Sequence, residues 1–253
     1  MLTVSEAQLT AWLSPLIWPF LRVLALFTSA PLLSMRGVPV RVKVALAFFI
    51  TVAAQASLPP APVIALDSAL ALEAVVQQLL IGLSLGFAAR IVFAGIEYAG
   101  ELIGLQMGLN FASFFDPITA SQSTSVSRFF GTTAALLFVV MNGHLLLTAA
   151  VIQSFHAFPV GEAPLAFLRM VQPQVWGAEV FRLGVWIALP IVTMLLFANL
   201  VLGVVSRVAT QMNIFAIGFP ITLAVGLIGI TVTLPLMEVP FTMALERLLA
   251  QFG

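Results

Sequence analysis

Long apolar runs separated by short charged or proline-bearing junctions dominate this chain. Charge-free stretches cover residues 44–66, 74–89, 129–161 (with two histidines inside), 183–206 and 208–237. A helix crosses the hydrocarbon core with about 20 apolar residues. These stretches, joined by residues 12–35 despite the internal Arg22, therefore predict about six apolar helical segments. A helix satisfies its own backbone in lipid and an isolated strand does not, so the expected fold is all-α and membrane-associated. The segments are expected to pack as hairpins. Residues 69–115 hold no proline, and one straight helix of that length would measure roughly 70 Å, over twice the hydrocarbon thickness. That run should break, tilt or leave the bilayer. Pro15, Pro19, Pro31, Pro190, Pro220 and Pro235 lie in or beside apolar segments, where each removes a backbone donor and predicts a kink. Phe241, Leu245, Leu248, Leu249 and Phe252 recur at helical spacing, which predicts a short amphipathic tail.

Composition sharpens the membrane reading. Hydrophobic residues make up 61% of the chain and charged ones 8%, against about 25% charged in soluble domains. Ten basic and ten acidic residues cancel, so nothing in the charge balance points to nucleic acid as a partner. Arg36, Arg41, Lys43, Arg90, Arg128 and Arg207 cluster at alternate junctions and by the positive-inside rule would face the cytoplasm. Arg169, Arg182 and Arg247 depart from that pattern. Cysteine is absent, which removes disulfides, thiol catalysis and cysteine metal ligands. Glu6 precedes the first apolar run and Arg22 is the first basic residue, so no cleavable signal peptide is expected.

Few patterns suggest chemistry. Residues 82–86 read G-x-S-x-G, but a hydrolase places that serine on a strand-turn-helix elbow. Here it falls inside an apolar helical run, where glycines four apart serve close helix packing. His144 and His156 are the only histidines and have no ligand spacing around them. They read as histidines bonded to backbone carbonyls. No catalytic set, metal or cofactor is expected.

Arg90, Glu97, Glu101, Gly104 and Gly108 project onto one narrow helical face, a candidate interface with another helix. Glu97 and Glu101 repel at i,i+4 unless paired; an ordinary solvated or subunit-paired face is the other reading. From Asn110 the chain runs through Phe111, Phe114, Phe115, Asp116 and Pro117 into a hydroxyl-rich stretch ending near 127. Asp116–Pro117 should end the helix. The phenylalanines can be read as a hydrophobic plug on a loop, or as interface packing with Ser125 or Ser127 as the N-cap of the next helix. Arg207, Gln211, Asn213, Gly218 and Pro220 mark the turn between the last two apolar segments, either a plain loop or a partner contact.

The run from Gln211 to Pro220, QMNIFAIGFP, resembles the C-terminal turn of the FliR family of flagellar biosynthesis proteins and their injectisome counterparts. PVRVK at 39–43, ELIGLQMG at 101–108 and the Phe-rich stretch ending Asp116–Pro117 support the resemblance. It implies a subunit of a helical export gate built with FliP-type and FliQ-type subunits, beside FlhB-type and FlhA-type components, in the bacterial inner membrane at the flagellar basal body. Such a gate would be raised toward the periplasm and passed by unfolded protein substrates. It further implies an N-terminal part, 1–180, resembling a FliP-type subunit and a C-terminal hairpin with tail, 181–253, resembling a FliQ-type subunit. The plug reading of 110–117 gains weight from it. The injectisome counterpart is one alternative. A secondary transporter coupling through Arg22, Glu97, Glu101, Asp116 and Arg128 is another.

Overall fold

The computed structural model describes residues 6–35, 37–65, 67–109, 123–161, 166–172, 175–209 and 214–253. Among these the secondary structure is helical throughout, without strands. In chain order the helices are α1 (Glu6–Ser29), α2 (Val40–Ala54), α3 (Ala69–Gln106), α4 (Ser125–Val140), α5 (Gly143–Ala157), α6 (Ala166–Val171), α7 (Trp176–Val208), α8 (Ile214–Thr233) and α9 (Glu238–Leu249). Five stretches are long and apolar enough to cross a membrane, and α4 with α5 makes a sixth if that bent pair counts as one span. The chain is an all-α membrane protein with the expected number of segments.

Two of the expected boundaries differ. Residues 129–161 read as one segment but form two helices, α4 and α5, bent by 68°. The break sits at Asn142, which takes the left-handed conformation (φ 55°) and is followed by a buried glycine, Gly143. Asparagine tolerates that conformation better than other side chains, and Leu145 N–H closes the new helix on the Asn142 carbonyl at 2.8 Å. The proline-free run stops at Gln106, giving a helix of about 57 Å at 1.5 Å per residue. Its end is a Schellman-type turn: Gly108 has φ +81°, Gly108 N–H bonds Leu105 O at 3.0 Å and Leu109 N–H bonds Gly104 O at 3.1 Å. Helices run on through Pro15, Pro19, Pro190 and Pro220. Pro31 follows the end of α1, and Pro235 lies in the 3-10 turn Leu234–Met237.

The chain divides into two compact units, each assembled from separated stretches. The first is Met1–Ile91, Phe138–Trp176 and Leu245–Gly253; the second is Val92–Leu137 and Gly177–Ala244. The boundary near residue 180 drawn from the resemblance falls inside α7. In the first unit α1 buries Ser14, Trp18, Arg22 and Leu26 at i,i+4 intervals, and Trp18 joins Ile64, Ala71 and Ala74 in a common core. Ser68 caps α3, accepting a bond from Ala71 N–H at 3.2 Å. α3 crosses α1 at Gly82 and Gly86, where a Cβ on Gly86 would lie 2.7 Å from Ala30 N. The G-x-S-x-G run is thus a close-packed helix crossing. At the chain's end Phe252 is fully buried beside Trp176, whose ring centroid lies 5.8 Å away. In the second unit Gly184 of α7 meets Tyr98 and the Gly95 carbonyl of α3, and Gly226 of α8 meets Met107. All five residues predicted to form the tail's apolar face, Phe241, Leu245, Leu248, Leu249 and Phe252, are buried.

Candidate functional site

The carboxylate and glycine stripe of α3 meets the start of α4 within the second unit. A Cβ on Gly100 would lie 2.7 Å from Ser127 Cα and 2.9 Å from the Val126 carbonyl; one on Gly104 would lie 2.7 Å from Thr124 Oγ1. Only hydrogen at these two positions permits so close an approach. Thr124 is the N-cap of α4: its Oγ1 accepts from Ser127 N–H at 3.1 Å, and its carbonyl accepts from Arg128 N–H at 3.1 Å. The cap therefore falls one residue before Ser125 and three before Ser127, both of which lie inside the helix. Ser127 instead donates its hydroxyl to the Glu97 carbonyl across the seam at 2.9 Å.

Glu101 completes this junction. One carboxylate oxygen accepts from Thr124 N–H at 3.0 Å and from Thr124 Oγ1 at 3.1 Å. A negative charge is favourable at a helix N-terminus, where unpaired N–H groups and the macrodipole are positive. Glu97 lays its carboxylate beside Gly131, where a Cβ would lie 2.9 Å from Glu97 Oε1. The i,i+4 pair of acids is thus directed to two different places on α4. Replacing Thr124 with Val is expected to remove the side-chain cap and the hydroxyl bond to Glu101, while the backbone N–H bond to Glu101 stays, a loss of about 1–2 kcal/mol, readable as a lower thermal inactivation temperature in detergent. An unchanged temperature would refute the cap assignment.

Gly108, predicted on the same interface face, ends α3 through its positive φ. Arg90 is exposed on α3. Arg128 is exposed on α4, with Nε 3.3 Å from Ser123 Oγ. Asn110, Phe111, Phe114, Phe115, Asp116 and Pro117 lie outside the described residues, as do Gln211 and Asn213. The residues flanking 110–122 are described: Leu109 bonds Gly104 O, and Thr124 rests on Gly104. Leu109 and Thr124 thus both contact Gly104. Arg207 ends α7 exposed, Gly218 is buried on α8, and Pro220 is exposed on the same helix. His156 Nε2 lies 3.3 Å from the Ser57 carbonyl, and His144 is exposed.

The first unit holds a polar cluster that sequence reading left without partners. Arg22 is completely buried. Its Nε donates to Gln78 Oε1 at 2.7 Å, one terminal nitrogen to Ser154 Oγ at 2.9 Å and the other to Phe158 O at 2.9 Å. The guanidinium lies 3.7 Å from the centroid of the Phe155 ring, a cation–π contact. Gln78 in turn donates to Gln77 Oε1 at 3.0 Å; Gln77 donates to Pro159 O and accepts from Gly161 N–H, each at 3.0 Å. These partners are all neutral, and they bind α1 to α3, α5 and the turn after α5. The legible signal was scarcity: Gln77 and Gln78 stand together in a charge-free window, and a buried arginine requires acceptors. The Thr124 hydroxyl and the Glu101 carboxylate serve the N-cap of α4, and Ser84 sits inside α3.

A family described as bacterial export proteins, family 1, matches residues 13–248. The flagellar biosynthetic protein FliR of Escherichia coli K12 is 46% identical over 244 residues, covering 95% of this chain and 92% of its own length. Its counterpart in Pectobacterium carotovorum is 42% identical over 246 residues, with 95% and 92% covered. That of Aquifex aeolicus is 32% identical over 231 residues, with 90% and 88% covered. Since the likeness takes in nearly the whole chain, from α1 to α9, the chain belongs to the FliR family of flagellar biosynthetic proteins, within bacterial export proteins, family 1.

Proposed function

We propose that this chain is a structural and gating subunit of the flagellar protein export apparatus, seated in the bacterial inner membrane at the basal body. It would assemble with FliP- and FliQ-type subunits, next to FlhB- and FlhA-type components, into a gate that unfolded protein substrates cross. The observation that carries this reading is the near-complete coverage by proteins named as flagellar biosynthetic. The exposed surface supports it: α2 and α7 leave most of their apolar side chains uncovered, including Phe48, Phe49, Trp186, Phe197 and Leu200. A chain built this way must meet lipid or other apolar helices on those faces. Its role in the reading is non-catalytic.

Two experiments test it. Deleting the gene in its host should abolish swimming and export of flagellar substrates, with both restored by the full chain; a motile deletion strain would overturn the proposal. Tagged chain purified in mild detergent should bring FliP- and FliQ-type subunits with it, and a stable chain purified without partners would argue for a solitary transporter. Within the proposal, Asn110, Phe111, Phe114, Phe115, Asp116 and Pro117 form a hydrophobic plug. The α3–α4 junction at Gly104, Glu101 and Thr124 would anchor that plug at both ends. Removal of residues 110–121 is expected to make the membrane leaky to ions and small molecules. Normal permeability in a fully assembled deletion variant would eliminate the plug.

A further inference from the structure

The polar network around Arg22 converges on one short stretch of chain. Arg22 bonds Ser154 and the Phe158 carbonyl and stacks on Phe155, while Gln77 bonds the Pro159 carbonyl and Gly161 N–H. That stretch walls two adjoining cavities of the first unit. One, of about 370 Å³, is lined by Ile64, Ala74, Gln77, Gly161 and a single ionisable side chain, Glu73. The other, of about 480 Å³, is lined by six prolines, among them Pro15, Pro19 and Pro159, with Phe155 and, as its sole polar side chain, Gln55. Pro62 and Val160 belong to both. Each volume falls within the roughly 300–1,000 Å³ of small-molecule sites. A satisfied buried network rigidifies what it holds, and prolines fix the backbone of the facing wall, so both hollows are set in shape before anything enters them.

Charge and position decide what fits. Glu73 is exposed in the second turn of α3, and no described residue bonds or pairs with its carboxylate. Neither cavity is lined by a Lys, Arg or His; Arg22 is completely buried and engaged with neutral partners. The cavities lie where the α2 span ends at Ser57 and the α3 span begins at Ala69, the level at which headgroups meet hydrocarbon. We propose that the two cavities together bind a lipid with an ammonium headgroup, phosphatidylethanolamine. The ammonium pairs with Glu73, and part of one acyl chain lies in the proline-lined chamber. A net anionic headgroup such as that of phosphatidylglycerol meets Glu73 as a like charge and finds no cation. A helix of another polypeptide is a poor occupant, because it needs a long open face and these hollows are bounded by helix ends and connecting segments. The proposal rests on the reading of the chain as an inner-membrane subunit and adds a lipid site to it.

The test uses the full chain in vesicles of equal parts phosphatidylethanolamine and phosphatidylglycerol, doped with a trace of one or the other lipid carrying a photoreactive acyl chain. The phosphatidylethanolamine probe should label peptides holding residues 58–62 and 159–160 about threefold more than the phosphatidylglycerol probe, the ratio expected of one exposed ion pair. Glu73→Gln, at an exposed position, should bring the two probes to equal labelling with chain abundance unchanged. Ala61→Trp should fill the proline-lined chamber and cut labelling there by both probes at least threefold. Equal labelling in the unaltered chain, a preference that survives Glu73→Gln, or labelling unmoved by Ala61→Trp would each overturn the site. In the native host, a photoreactive residue in place of Val63, which lines the Glu73 cavity, should yield lipid adducts, and an adduct with another polypeptide instead would also overturn it. A chain recovered outside the membrane fraction would overturn the membrane reading and the site with it, whereas equal labelling of a membrane-bound chain removes the site alone.

Discussion

Replacing Arg22 with Ala should be among the most damaging single changes in this chain. It strips donors from Gln78, Ser154 and the Phe158 carbonyl at once, inside a region from which water is excluded. An unsatisfied buried polar group costs about 1–3 kcal/mol, and the vacated guanidinium volume adds a cavity. The combined loss should reach about 3 kcal/mol or more, a large fraction of the stability of a typical domain. Arg22→Lys should rescue little: an ammonium is a compact donor and does not reproduce a planar fork aimed at three separate acceptors while stacked on Phe155. The measurement is membrane abundance together with thermal inactivation of detergent-extracted chain. Wild-type abundance and inactivation temperature for Arg22→Ala would show that the cage contributes nothing.

Gly82→Val is expected to have an effect of similar size by the opposite route. A Cβ at residue 82 would lie 2.7 Å from Ala25 Cβ and 3.1 Å from the Arg22 carbonyl carbon. The obstruction is partly backbone, so no rotamer relieves it; α1 must move off α3, carrying Arg22 with it. Overpacking commonly costs about 1–3 kcal/mol. Displacement of the Arg22 cage should bring this variant to the top of that range. Because both changes act on one contact, Gly82→Val combined with Arg22→Ala should cost clearly less than the sum of the two. Ser84→Ala, two residues along the same helix, should leave abundance unchanged. Strict additivity of the double variant would mean that crossing and cage are independent.

The helical class and the six apolar segments were legible because they follow from local physics. A run of some 20 apolar residues must satisfy its own backbone, and only a helix does that within one segment. The tail was legible for the same reason, its five apolar residues falling on one side of a 3.6-residue period and all being buried. The bend between α4 and α5 leaves no trace in hydrophobicity, which runs unbroken through 129–161. The Asn142–Gly143 pair, a turn-forming dipeptide, was the signal that mattered. Several hydroxyl residues compete for the N-cap of α4, so the sequence points to Ser125 or Ser127, and contact with Gly104 and Glu101 selects Thr124.

By itself the sequence determined that this protein is helical and suited to a membrane, where its spans lie, and through the 211–220 run which family it resembles. The tertiary structure decided what each apolar or small residue is for. Arg22 finds acceptors 56, 132 and 136 positions away, distances at which no periodicity speaks. Gly86 and Gly203 look alike in the chain, yet one is pressed against the backbone of α1 and the other faces open space. The reason is that hydrophobicity records only avoidance of water. Whether the neighbour is a helix of the same chain, lipid or another subunit depends on geometry between distant segments.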